Sequence, residues 1–252
     1  MPAGTQKKQQ DGQLAQAIRF WLPVVLLFLF VRTVLFQPFH IPSESMQATL
    51  LVGDSLFVSK YSYGYSHYSL PLSLPLFSGR ILASEPRRGD VAVFRLPRDD
   101  SQDLIKRVIG LPGDRIQMIR GHLHINGEPV SRVQIEDFID TDEFTGRPVR
   151  VKRWRETLPG GVSHTTLDLL EAGPLDDTPV YEVPAGHYFM MGDNRDDSTD
   201  SRVLNEVGYV PFENMIGRAE IIYFSIGEGA AAWQVWRWPT ALRLNRFFTL
   251  LR

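Results

Sequence analysis

Two serines two positions apart, Ser43 and Ser45, stand in the stretch Phe39-His40-Ile41-Pro42-Ser43-Glu44-Ser45-Met46-Gln47-Ala48-Thr49-Leu50, directly after the only strongly apolar run of the chain. In an extended backbone residues i and i+2 point the same way, so this spacing predicts two hydroxyls aimed at one spot, and Pro42 stiffens the approach. A serine attacks only when a base sits beside it and donors await the developing oxyanion. Lys106 is the candidate base. It lies between Ile105 and the pair Val108-Ile109, where burial lowers a lysine pKa, and a neutral amine can take a serine proton. Arg107 points to the opposite face and stays protonated, so it cannot serve. The bland alternative makes Lys106 an exposed member of an alternating strand.

Histidine is the usual partner of a reactive serine, and none of the six fits. His40 lies five residues before Ser45 on a rigid segment. His122 and His124 share a strand face as two metal ligands at best, with no third in sequence. His67, His164 and His187 read as surface or satisfied residues with no acidic or serine constellation around them. The acidic run Gly192–Arg202 fails the EF-hand spacing: from Asp193, position three is Arg195; from Asp196, position six is Ser201 and no Glu falls at twelve. It reads instead as a rigid turn pairing Asp193 with Arg195 and Asp200 with Arg202, in which Ser198 can orient a neighbouring base. No metal or other cofactor is expected.

The elements that must position these groups begin with a polar arm, Met1–Gln16, read as disordered. The 19 residues Ile18–Phe36 follow, nearly all apolar; as a helix they span about 28 Å, enough to cross a bilayer. Arg19 and Arg32 lie near its ends, where their guanidinium groups can snorkel. Lys7, Lys8 and Arg19 precede or open the span, whereas no Lys or Arg occurs from Thr33 to Ser59. That asymmetry predicts a cytoplasmic amino end and an exported body. A cleavable secretory signal is the competing reading, opposed by the bulky Phe36-Gln37-Pro38-Phe39-His40 where small residues belong.

Beyond the span the texture is short apolar runs separated by turns. Arg88-Gly89-Asp90 leads into a strand at Val91–Phe94, Asp103–Gly110 is another, and Asn126-Gly127 is a hairpin signal. The charged run Arg147–Glu156 reads as solvated. Tyr61–Leu82, broken by prolines, reads as an apolar loop leaning on the bilayer. Thr240–Arg252 reads as a short amphipathic helix, either interfacial or packed on the body. A chain of 252 residues, 43% hydrophobic and 22% charged, buries a real core. A net charge of −2 shows no basic excess for nucleic acid, and the absence of cysteine excludes disulfides.

Four segments in order resemble bacterial type I signal peptidase, a membrane-anchored serine-lysine protease family: Pro42-Ser43-Glu44-Ser45-Met46 with Thr49-Leu50; Gly53-Asp54; Arg88-Gly89-Asp90-Val91 through Lys106-Arg107-Val108-Ile109-Gly110-Leu111-Pro112-Gly113-Asp114; and Gly192-Asp193-Asn194-Arg195-Asp196-Asp197-Ser198 through Asp200-Ser201-Arg202. The resemblance implies Ser45 as nucleophile, Lys106 as general base, and an oxyanion hole from the Ser45 N–H and the Ser43 hydroxyl. It implies that Ser198 holds the lysine amine, that Asp193 with Arg107 and Asp200 with Arg202 brace the site together with Arg195, and that Ile41, Met46, Leu104 and Ile105 line shallow pockets. The implied substrates are exported preproteins with small residues at −1 and −3, cut at the outer, periplasmic face of the cytoplasmic membrane, with membrane lipid as a further partner.

The implied fold is mainly β: an antiparallel β catalytic core (37–114 and 188–228) with an inserted β subdomain (115–187). An arm (1–17) and one transmembrane helix (18–36) precede it, and a tail (229–252) follows. Glu44 stands where many members have glycine, Ala48 where proline is frequent, and the segment after Arg202 is longer than the usual link. Two rivals remain: a self-cleaving repressor-type protease, disfavoured by the anchor, and a non-catalytic tethered β protein that binds export partners.

Overall fold

An apolar segment with nothing to cover it needs lipid, and the first element shows that pattern. The computed structural model describes residues 3–70, 73, 77–141, 147–170, 172–227 and 233–251. Helix α1 (Ala3–Phe30) continues into a π-helical turn, Val31–Leu35. Its second half leaves Leu26, Leu27, Phe28 and Phe30 more than half exposed, and Gln16–Leu35 is long and apolar enough to cross a membrane. The expectation of a disordered arm is corrected: the helix runs back to Ala3. Ala, Gln, Lys and Leu are good helix formers, and extending an existing helix costs far less than nucleating one.

The body is mainly β. Strands β1 (Phe36–His40), β2 (Asp54–Ser59), β3 (Val91–Arg95) and β4 (Asp103–Gly110) come first. Strands β5 (Arg115–Ile119), β6 (His122–Ile125), β7 (Glu128–Pro129), β8 (Ser131–Gln134), β9 (Phe138–Thr141), β10 (Pro148–Thr157), β11 (Ser163–Asp168) and β12 (Tyr181–Glu182) follow. Strands β13 (His187–Met191), β14 (Val210–Pro211), β15 (Met215–Ser225) and β16 (Thr249–Leu250) close the chain. The main antiparallel sheet has the order β1-β2-β15-β3-β4-β13-β14, with β16 on β15. Two smaller sheets, β11-β10-β8 with β9, and β12-β5-β6-β7, come from the chain between β4 and β13. Asn126 and Gly127 both take positive φ between β6 and β7, the hairpin turn expected of that pair.

The main sheet is covered on both faces. Along β3, Val91 and Val93 join a cluster with Ile41, Met46, Leu56 and Ile222, while Ala92 and Phe94 join Tyr63, Val108, Met190 and Met215 on the other side. Phe189 and Met191 of β13 and Ile109 of β4 meet Ile116, Leu123 and Ile125, which fixes the third sheet against the first. Each such buried side chain contributes about 1.5–3 kcal/mol. Among the free strand edges of the described residues, two bear on the site. β1 ends the sheet, and β13 pairs with β4 only from Arg107 onward, so Asp103–Lys106 has no partner on that side among the described residues.

Two further expectations change. The described part of Tyr61–Leu82 folds over the body: Tyr63 is buried, the Tyr65 hydroxyl donates to Val34 O at 2.8 Å, and the half-buried Arg80 guanidinium donates to Tyr63 O and Gly64 O. Pro71, Leu72 and Leu74–Leu76, which carried the idea of lipid contact, lie outside the described residues. In the described tail the one α-helical stretch is α2 (Trp238–Ala241), flanked by 3-10 turns at Val235–Arg237 and Leu244–Arg246. Beyond it Arg246 bridges the fully buried Asp54 at 2.6 Å, β16 pairs with β15 and Leu251 is buried. The strand pairing and that ion pair outweigh the weak helix propensity of a short segment. Trp233, Trp236, Leu244 and Phe248 remain exposed, and Arg252 lies outside the described residues.

Candidate active site

β1 carries the chain away from the end of the apolar helix, and the Ile41 N–H still donates to Asp54 O at 2.9 Å. The backbone then turns. Gln47 N–H donates to Glu44 O at 2.7 Å and Leu50 N–H to Met46 O at 2.8 Å, while fully buried Met46 and Leu50 hold this turn to the core. The expected extended pairing of Ser43 and Ser45 is therefore corrected: a turn, not a strand pleat, brings their hydroxyls to 3.4 Å. Ala48 sits at φ 89°, which the proline ring, locked near −65°, cannot adopt. That departure is thus a difference in backbone shape.

Lys106 comes from the first half of β4, and its side chain is buried. Its Nζ lies 2.5 Å from Ser45 Oγ, sixty-one residues apart in sequence. Burial lowers the Lys106 pKa to about 8, with Asp200, Asp193 and Asp197 pulling it back up and Arg202 pushing it down. An amine so placed exchanges protons with a hydroxyl near neutral pH. A cavity of about 380 Å³ opens at the pair, lined also by Ser43, Glu44, Leu104 and Asp197.

The segment after β13 threads between this pair and β11. Gly192 is packed so closely that a Cβ there would lie 2.2 Å from Ser198 Oγ and 2.4 Å from Ser45 O, so no larger residue fits. The Asn194 N–H donates to Ser45 O at 3.2 Å, and Arg195 N–H and Leu167 O meet at 3.0 Å. Arg107 forks onto Asp193 at 2.8 and 2.6 Å; Arg202 forks onto Asp200 at 2.9 and 2.8 Å, which in turn accepts the Gly192 N–H at 3.0 Å. Burial alone would raise both carboxyls; the adjacent guanidinium groups outweigh it and hold each below the ordinary carboxylate range.

Other expectations are redrawn here. Arg195 does not pair with Asp193: it meets Glu156 at 2.5 Å, so Arg147–Glu156 is not solvated throughout, and Glu156 is buried. His164 does have acidic neighbours, brought from distant segments, Glu156 Oε2 at 3.7 Å and Asp193 Oδ1 at 3.9 Å. Burial, reinforced by Arg107, lowers its pKa to about 4. Ser198 is buried beside the pair, but its hydroxyl has no hydrogen-bond partner among the described residues and makes no bond to the lysine. Ile41 and Ile105 meet in one apolar cluster, Met46 lies behind the turn with no exposed surface, and Leu104 faces the cavity. Thr49, whose hydroxyl donates to Asp193 at 2.5 Å, was visible only as part of the serine segment. For Glu156 and His164 the one local signal is strand alternation. Among the described residues no group of three His, Asp or Glu side chains is placed to hold a metal.

Breaking a buried ion pair leaves an uncompensated charge, at a cost of about 3–5 kcal/mol. Glu156→Ala is expected to lower stability by about that amount, read as a fall in the thermal midpoint of the purified protein in detergent. An unchanged midpoint would mean that Arg195 finds another partner.

The chain is similar to signal peptidases over most of its length. The model of the family "Signal peptidase, peptidase S26" matches residues 14–224. A signal peptidase I of Rickettsia canadensis is 42% identical over 96% of this chain and 95% of its own, and one of Rickettsia conorii is 41% identical over 89% of this chain and 88% of its own. A solved signal peptidase I of Enterococcus faecalis is 27% identical over 54% of this chain and 97% of its own, with a TM-score of 0.31.

Proposed function

The chain belongs to the signal peptidase family, peptidase S26, and from that premise we propose that it is a membrane-anchored serine endopeptidase cutting N-terminal signal peptides from exported preproteins by a Ser45–Lys106 dyad. The observation that carries this reading is the 2.5 Å approach of the Lys106 amine to the Ser45 hydroxyl in a buried place that favours the neutral amine. Neutral Lys106 takes the Ser45 proton as Oγ attacks the scissile carbonyl. The oxyanion accepts hydrogen bonds from the Ser45 N–H and the Ser43 hydroxyl. Collapse expels the new amino terminus, which takes the proton from Lys106, and leaves an acyl-enzyme. Water, deprotonated by Lys106, then releases the signal peptide as an acid. The unspent Ser198 hydroxyl is available to steady the amine during these transfers.

β1 leaves the end of the span and runs toward Ser45. A substrate whose apolar segment is still in the bilayer must run the same way, so it enters parallel to β1, between the free edges of β1 and the first half of β4. Ile41 and Ile105, backed by Met46, with Leu104 on the cavity side, then face the residues before the cut and leave room for small side chains. The body lies on the outer face of the cytoplasmic membrane by the asymmetry of basic residues around the span. Ser45 is nine residues past Phe36, at most about 30 Å away when extended.

A serine-reactive acylating inhibitor such as a penem is expected to add its mass to Ser45. Absence of an adduct, or an adduct retained in Ser45→Ala, would favour the non-catalytic binding protein. Ser43→Ala, which removes one oxyanion donor, is expected to lower kcat by about 10²–10³ with little change in KM. An unchanged kcat would leave the backbone N–H as the sole donor.

A further inference from the structure

A cavity larger than the one at the dyad lies where the membrane span meets the sheet. It measures about 740 Å³, and its lining includes Phe28, Leu29, Arg32 and Thr33 of the helix end, Gln37 of β1 and Asp103 of β4. Gln37 and Asp103 belong to the two free-edged strands, so this cleft is the membrane-side mouth of the path proposed above. Gln37 lies four residues before Ile41, about 13 Å upstream along a strand. Its lining mixes apolar side chains, Phe28 and Leu29 among them, with polar and charged ones such as Arg32, Gln37 and Asp103.

Whatever enters there has a specific unmet need. An apolar segment crosses the bilayer as a helix, yet it must be extended when it passes between β1 and β4. Its helix therefore ends at this mouth. The last turn of a helix leaves four carbonyls unpaired and carries about half a negative charge, and such backbone groups are costly to leave unsatisfied next to the hydrocarbon. The cleft holds three cations. Lys60 is spent on Ser69 O at 2.5 Å, and Arg95 on Asp103 at 2.9 Å. Arg32 is exposed and makes no hydrogen bond or ion pair with the described residues. Its five donors suit a ring of carbonyls.

We propose that this cleft receives the last helical turn of the preprotein's apolar segment and that Arg32 caps the carbonyls of that turn. The inference rests on the proteolytic reading and adds a substrate-binding site to it. Arg32 acts on where the helix stops, and thereby on which bond reaches Ser45, without touching the reacting atoms.

The test compares two substrates in liposomes: a full preprotein, and a short peptide that keeps only the residues flanking the cut. Arg32→Gln is expected to raise KM for the preprotein about tenfold and Arg32→Glu further, with kcat and all short-peptide kinetics within about twofold of wild type. Equal losses on both substrates, scaling with the anionic lipid content, would overturn the proposal and assign Arg32 to a lipid phosphate. No effect on either would overturn it too. Failure of the unaltered protein to cut both substrates would overturn the proteolytic reading itself, and this inference with it. Should the Arg32 variants not insert, the cysteine-free chain allows a second measurement. Thr33→Cys combined with Ser45→Ala is expected to crosslink to a preprotein cysteine at the end of its apolar segment, and crosslinking only to distant positions would overturn the proposal.

Discussion

Ser45→Ala is expected to lower kcat/KM for preprotein cleavage by about 10⁴-fold or more while the circular dichroism spectrum stays that of the folded protein. The size follows from the loss of the only group that forms the acyl bond: removing a nucleophile from a cooperating set leaves just the catalysis due to binding and oxyanion donors. The turn that carries Ser45 is held by the side chains of Ile41, Met46 and Leu50 and by backbone hydrogen bonds, none of which needs the hydroxyl. Single-turnover assays of wild type and variant in the same detergent measure the difference. Activity within tenfold of wild type would remove Ser45 from the reaction.

Lys106→Met is expected to abolish turnover and, unusually for an active-site change, to stabilise the fold. The folded protein lowers the Lys106 pKa from 10.5 to about 8. Between those values the unfolded chain binds the extra proton, so stability rises with pH from about 8 to 10.5; below pH 8 the full cost of holding a buried ammonium persists. At about 1.4 kcal/mol for each tenfold change, that cost is about 3 kcal/mol at pH 7. An apolar side chain of similar length escapes it, so the thermal midpoint of Lys106→Met at pH 7 is expected to exceed that of wild type. The same group sets the pH profile. The neutral fraction of an amine with a pKa near 8 grows about tenfold from pH 7 to pH 9, and kcat/KM is expected to grow with it. A profile already flat at pH 7 would point to a group titrating like histidine and against Lys106.

Much of this was readable in the chain as written. The apolar run before Phe36, the turn at Arg88-Gly89-Asp90 leading into β3, the strand Asp103–Gly110 and the Asn126-Gly127 hairpin all appear in the structure where local patterning placed them. These features depend on neighbours in sequence: hydrophobic periodicity, glycine at positive φ, and the absence of charge. Where expectation failed, the deciding contacts came from far along the chain. The tail abandons a helix because Asp54, nearly two hundred residues earlier, takes Arg246. Arg195 turns from Asp193 to Glu156 because Arg107 already occupies that carboxylate. His164 looked isolated because its acidic neighbours belong to other strands.

By itself the sequence determined that one segment could cross a membrane, that the body would be built of short strands and turns, and that a serine segment, a lysine strand and an acidic turn were available for chemistry. These are properties of residue type and spacing, which local sterics and hydrophobic pattern control. Only the tertiary structure decided that the lysine amine reaches the serine hydroxyl, that Glu156 and His164 back the acidic turn through Arg195 and Asp193, and that a cleft opens between Arg32 and the free strand edges. Burial and electrostatic pairing depend on distances through space, and the order of residues along a chain does not encode those distances until the sheet has closed around them.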